Sequence, residues 1–245
     1  MGQIISITSG KGGTGKTTTA AALSSCLAVL GKRTLCIDFD AELRNLDLAL
    51  AMTDYAVMDF VDVVSGKVAF RESFSESPQI PNLFFLSAPA EQIPSNIGPE
   101  EISMMFKDIR AEFDYCIIDV PAGVGRGFKL ASGSDMSIIV TTGDIPAMRN
   151  ATRTAEALRG LGVKKLRLIV NKVKRKNFKR IKTTVDDIID LTGVRLLAVV
   201  ADDINVHLAL HAGTPLVLYK NRKAAYDFLD GARRLIGENI PLYKR

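Results

Sequence analysis

The 245-residue chain has no apolar run near the ~18 residues that a bilayer-crossing helix needs, so no membrane span is expected. Its first residues enter a β-rich stretch directly. No basic segment followed by an apolar one precedes that stretch, so no secretory leader is expected and the expected compartment is the cytoplasm. Cysteine is scarce. Cys26, Cys36 and Cys116 each lie in apolar sequence and no two form C-x-x-C, which predicts buried structural thiols and argues against a cluster bridging two subunits. The two histidines, His207 and His211, are spaced i, i+4. Two ligands are too few for a metal, so a surface or packing role is expected. Internal repeats and low-complexity linkers are missing as well. The loosest stretch, Ser75 to Pro99, holds five prolines but also an apolar strand, so no boundary is drawn there and residues 1–245 are expected to form one domain.

What is present is ordinary globular composition, 47% hydrophobic and 24% charged, in a chain long enough to bury a sizeable core. Apolar β-like runs occur at Ile4–Ser9, Thr34–Asp38, Leu83–Ser87, Tyr115–Asp119, Met136–Thr142, Leu166–Asn171 and Arg195–Val200, with a shorter eighth at Leu216–Tyr219. Several are apolar on both faces, as buried parallel strands are. Helical patterns fall between them at about 16–30, 100–112, 146–160, 178–192 and 223–236. This alternation predicts an α/β fold: a doubly wound, mostly parallel sheet of seven or eight strands flanked by helices.

Gly10-Lys11-Gly12-Gly13-Thr14-Gly15-Lys16-Thr17-Thr18 fits the phosphate-binding pattern G-x-x-x-x-G-K-[ST], between an apolar run and an Ala/Leu helix. Glycines let backbone N–H groups close around phosphate oxygens, and the following helix turns its positive end to the same place. Gly12, Gly13, Thr14, Gly15, Lys16, Thr17 and Thr18 are the expected cradle. Lys16 is assigned to the β- and γ-phosphates, and Thr17 offers a hydroxyl to Mg²⁺. An ordinary loop of this kind needs no Lys11. That lysine cannot easily share the phosphates with Lys16 from the same side, and a neighbouring subunit's nucleotide is the alternative target.

In a doubly wound sheet, ligands sit outside the carboxyl ends of the strands. Three such ends carry polar residues. Asp38 and Asp40 follow the second run as candidates for Mg²⁺, with Asp40 also placed to orient a water; the alternative for both is a turn cap. Asp119 follows four largely apolar residues, the arrangement that delivers a carboxylate to a Mg²⁺ shell from a buried strand. Asn171 follows Leu168-Ile169-Val170, where its amide can read an adenine edge or simply form a turn. The net charge of +5 is unevenly spread: ten basic and no acidic residues lie between Lys164 and Lys182. Lys172 to Lys182 is the candidate surface for an anionic partner, DNA or acidic lipid, with a solvated face as the alternative.

The lysine-bearing loop resembles the deviant Walker A ATPases of the MinD/ParA type, whose signature is K-G-G-x-G-K-[ST][ST]. The likeness extends over most of the chain. DFDAELRNLDLAL is similar to the first switch of the MinD branch, CIIDVPAGVGRGF to its Walker B and second switch, IVNKV to its adenine-reading segment and VVADDINVHLALHAGTPLV to a late IPED-containing stretch. The resemblance implies ATP and Mg²⁺ as cofactors and an ATP-dependent homodimer in which Lys11 reaches the partner's phosphates. It also implies slow hydrolysis with Asp40 activating the water, an unnamed protein partner in spatial organisation such as cell division, and a cytoplasmic place beside membrane or nucleoid. Lys11, Lys16 and Asp40 are its catalytic residues, and Asn171 its adenine reader. The chain departs from the pattern in Thr14 for the usual Val, in Ala201 for the usual Pro, and in a C-terminus too short for a membrane-targeting helix. The alternatives are a ParA-like DNA-partitioning ATPase and an ATP-dependent amide ligase of the group related to cobyrinate synthase.

Overall fold

A computed structural model describes residues 1–174, 184–220 and 223–242. Eight strands form one sheet: β1 (Gln3–Thr8), β2 (Thr34–Asp38), β3 (Ser75–Glu76), β4 (Leu83–Leu86), β5 (Tyr115–Asp119), β6 (Met136–Thr141), β7 (Leu166–Val173) and β8 (Leu196–Ala201). Their order is β3-β4-β2-β5-β1-β6-β7-β8, and every pairing is parallel except the antiparallel β3–β4 edge. Nine helices are described: α1 (Lys16–Val29), α2 (Leu46–Leu50), α3 (Phe60–Val64), α4 (Pro99–Glu112), α5 (Arg126–Leu130), α6 (Ile145–Gly160), α7 (Val185–Thr192), α8 (Asn205–His211) and α9 (Lys223–Leu235).

The period of two in the central strands divides the interior into two cores. Ile4, Cys116, Ile118 and Ile139 face the side covered by α4 and α6, while Ile5, Ile7, Ile117 and Ile138 face α1 and α9. All eight side chains are buried, and burying each isoleucine stabilises the fold by about 1.5–3 kcal/mol. α1 is buried on nearly every side because its alanines and serines permit close approach to the sheet, to α2 and to α9. In α9, Phe228 and Ala232 are fully buried and Leu229, Leu235 and Ile236 pack beside them, so the apolar face of this helix covers the core.

Two sequence expectations are corrected. Leu216–Leu218 is a 3₁₀ turn following the extended Pro215, and the eighth strand is the two-residue Ser75–Glu76. The helix expected over 178–192 is described as Val185–Thr192, with Thr184 accepting a bond from the Asp187 N–H as its N-cap. Residues 175–183, and with them Arg175, Lys176, Lys179, Arg180 and Lys182, lie outside the described residues. The three cysteines are free and buried as expected, and His207 and His211 join no metal-binding group among the described residues. Among these residues no helix is long and apolar enough to cross a membrane.

Candidate nucleotide site

Because β1, β2 and β5 are adjacent and parallel, their carboxyl ends open onto one place. Asp38 and Asp119 are register partners, and Ile7 lies beside Asp119 on its other side. The glycine-rich loop leaves β1 there and turns into α1. Gly15 takes a left-handed conformation (φ 92°) as the residue before that helix. A Cβ at Gly15 would stand 2.2 Å from the Asn171 amide nitrogen, so only glycine fits. A Cβ at Gly10 would lie 2.5 Å from the Asn150 carbonyl oxygen, which fixes the loop's first glycine against α6. Gly12 and Gly13 form its exposed tip, while Thr14 and Lys16 are buried. Thr17 and Thr18 lie half-buried in the first turn of α1.

Lys16 does not point into solvent. Its Nζ lies 2.8 Å from Asp119 Oδ1 and 3.7 Å from Asp40 Oδ2, with all three side chains nearly inaccessible. Burial raises the Asp119 carboxyl above the ordinary carboxylate range; the Lys16 ammonium, and then the Thr17 hydroxyl, pull it back. Asp119 Oδ2 is nonetheless buried without a hydrogen-bond partner among the described residues, as is the Thr14 hydroxyl. A buried carboxylate oxygen without a partner, on a carboxylate that the Thr17 hydroxyl also acts on, fits a hard cation such as Mg²⁺, whose ligands are oxygens. Asp40 is anchored by accepting the Leu43 N–H at 3.3 Å on Oδ1. Asp38 accepts the Asp40 N–H at 2.8 Å and the Leu46 N–H at 3.3 Å, so it shapes the segment between β2 and α2. Burial, reinforced by the Asp119 charge, pushes the Asp38 carboxyl up to about 7 against those two bonds.

Asn171 is buried. It donates from Nδ2 to the Thr14 carbonyl at 2.9 Å, and its Oδ1 accepts the Lys172 N–H at 2.8 Å. It therefore braces the loop in this form, with one amide hydrogen and one lone pair left for a ligand. Lys11 stands apart from the buried cluster. Its Nζ is 3.5 Å from Asp144 Oδ1, and both side chains are about half exposed. Asp144 caps α6 by accepting the Ala147 N–H at 3.0 Å; the Thr142 hydroxyl, that N–H and Lys11 together overcome its partial burial and hold its carboxyl below the usual range. Two contacts escaped the sequence reading. Asp144 was legible only as an N-cap before Ile145-Pro146, and Lys172 only as one charge in a basic run. Arg126, the first residue of α5, donates to the carbonyls of Ile93, Pro94 and Ile97 and so ties that helix to the loop before α4.

The pH dependence follows from Asp38. Between about pH 4 and 7 the folded chain without nucleotide holds a proton there that the unfolded chain has released. Its stability should therefore fall as pH rises through this window, by at most ~1.4 kcal/mol per unit from this group. Asp38→Asn should flatten that slope in thermal melts taken from pH 4 to 7.5; an unchanged slope would assign it to other groups.

A family model described as the CobQ/CobB/MinD/ParA nucleotide binding domain matches residues 5–216. The septum site-determining protein MinD of Bacillus subtilis is 39% identical over 246 residues, covering 99% of this chain and 92% of that protein. The MinC:MinD cell division protein complex of Aquifex aeolicus superposes with a TM-score of 0.91 at 33% identity, covering 99% of this chain and 98% of the other. MinD of Pyrococcus horikoshii complexed with Mg-ADP gives 0.85 at 28% identity, with 97% of each chain covered. The chain belongs to the CobQ/CobB/MinD/ParA nucleotide-binding family, on its MinD side.

Proposed function

We propose that the chain is an ATP-dependent switch of the MinD kind, which binds ATP with Mg²⁺, hydrolyses it slowly and uses ATP-driven homodimerisation to control a protein partner in placing cell division. The observation that carries this reading is the convergence of Lys16, Asp119, Asp40 and Asp38 beneath the glycine loop. The relatives named septum site-determining proteins, and the likeness to a protein solved with MinC, support the division role.

Each residue has a part that its surroundings suit. Lys16 exchanges Asp119 for the β- and γ-phosphates, so a charge already dehydrated and paired is transferred from one anion to another. Thr17 and the orphaned oxygen of Asp119 would hold Mg²⁺, which supplies positive charge to the phosphate oxygens. Asp40, fixed through Leu43 beside Lys16, orients the attacking water. Lys11 is held only by a half-exposed ion pair, a contact worth about 0–1 kcal/mol, so little opposes its leaving Asp144 for a partner's phosphates. An anionic surface is the second partner reading. Of its charges, Lys172 donates to the Gly13 carbonyl and Lys174 makes an exposed ion pair with Asp202 as weak as that of Lys11, while Arg175, Lys176, Lys179, Arg180 and Lys182 lie outside the described residues.

Two outcomes test the switch. Lys16→Ala removes a charge-assisted contact worth about 1.5–3 kcal/mol, so calorimetry should show ATP affinity falling at least about tenfold; an unchanged isotherm would remove the loop from nucleotide binding. Lys11→Ala should bind ATP as the parent does yet stay monomeric in light scattering with a non-hydrolysable analogue. A normal ATP-dependent dimer would refute the role across the interface.

A further inference from the structure

The register between β7 and β8 breaks where β7 reaches the glycine loop. Val170 pairs with Val199 and Val173 with Ala201, so three steps along β7 match two along β8. The extra residue is accommodated at Asn171-Lys172, where Lys172 takes a left-handed backbone conformation (φ 55°) that a non-glycine residue adopts only at a cost. Bulges next to functional sites re-aim side chains. Here the bulge sends two consecutive side chains onto two consecutive carbonyls of the loop. Lys172 Nζ donates to the Gly13 carbonyl at 2.8 Å, and Asn171 Nδ2 donates to the Thr14 carbonyl at 2.9 Å. The Lys172 stem runs past Gly15, with its Cε 3.8 Å from where a Cβ would be.

The consequence follows from the planarity of the peptide. In a trans peptide the C=O and the following N–H point in opposite directions. Holding the Gly13 carbonyl toward β7 turns the Thr14 N–H the other way, and holding the Thr14 carbonyl does the same for Gly15. Among the described residues neither N–H has a hydrogen-bond partner, and both precede the positive end of α1. Glycines at 13 and 15, both at positive φ, leave this stretch free to adopt other conformations unless something holds it.

We infer that Lys172 is a positioning residue for the phosphate cradle: its ammonium clamps the Gly13 carbonyl and thereby presents the Thr14 N–H to a nucleotide's phosphates. This rests on the nucleotide reading above and extends it to a residue that touches no phosphate itself. The strained backbone at Lys172 is maintained because the side chain it aims does this work.

Lys172→Met keeps the stem and the exposed position while removing the donor, and Lys172→Arg keeps a donor. In nucleotide-free protein labelled with ¹³C and ¹⁵N, the Gly13 carbonyl resonance should move upfield in Lys172→Met and stay closer to the parent in Lys172→Arg. Titrations should then show Mg-ADP bound about three- to tenfold more weakly by Lys172→Met, with adenosine affinity unchanged. An unmoved Gly13 carbonyl would overturn the clamp, leaving Lys172 a nearby charge at most. A moved carbonyl with unaltered Mg-ADP affinity, or an equal loss for adenosine, would overturn the positioning role. A parent chain that binds no Mg-ADP would overturn the nucleotide reading and the positioning role together, with the carbonyl shift still deciding whether the contact exists.

Discussion

A buried ammonium cannot stand alone, and the site is organised around that constraint. Lys16 enters the interior as the first residue of α1, and the carboxylates within its reach are Asp119 and Asp40. Removing a member of such a pair costs about 3–5 kcal/mol where it leaves a charge uncompensated, and without Asp119 the lysine would keep only Asp40 at 3.7 Å. The same lysine is the one the loop motif assigns to phosphate. In the proposed switch the ion pair is the resting form: Asp119 holds the lysine until phosphate replaces it, and release frees a carboxylate one of whose oxygens has no hydrogen-bond partner among the described residues.

The sheet makes this economical. Parallel pairing of β1, β2 and β5 brings the end of the first strand together with two aspartates from 31 and 112 residues away, counting Ile7 to Asp38 and Ile7 to Asp119 in the sequence. α1 and α6 then supply what the strands cannot, a positive helix end and a capped one that holds Lys11 loosely. The departure at Ala201 has a local account. Its N–H donates to Asp227 Oδ2 at 3.0 Å, a bond proline could not make, and this joins the end of β8 to α9.

Legibility in the sequence divides along physical lines. The central strands were readable because they are buried on both faces and so appear as unbroken apolar runs. The loop was readable because glycine freedom and a lysine at fixed spacing leave few alternatives. Ser75–Glu76 was not readable: a two-residue edge strand carries no periodicity, and its pairing depends on Phe84 and Phe85. Leu216–Leu218 read as a strand because four apolar or aromatic residues in a row do not distinguish a strand from a turn packed on the core. The contacts of Lys11 with Asp144 and of Lys172 with Gly13 join residues 133 and 159 positions apart. No local pattern encodes such a pairing, and only the fold brings it about. Asn171 shows the intermediate case: its place at the site was legible from the strand end, whereas its bond to the Thr14 carbonyl was not.

The most direct test of this account is a double-mutant cycle of Lys16→Met and Asp119→Asn on folding stability, measured without nucleotide or Mg²⁺. If the buried pair is the resting form, each single change should destabilise by about 3–5 kcal/mol and the double variant by far less than their sum, a coupling of about 2 kcal/mol or more. Additive effects, agreeing within about 0.5 kcal/mol, would mean that Lys16 and Asp119 do not hold each other, and would contradict the account.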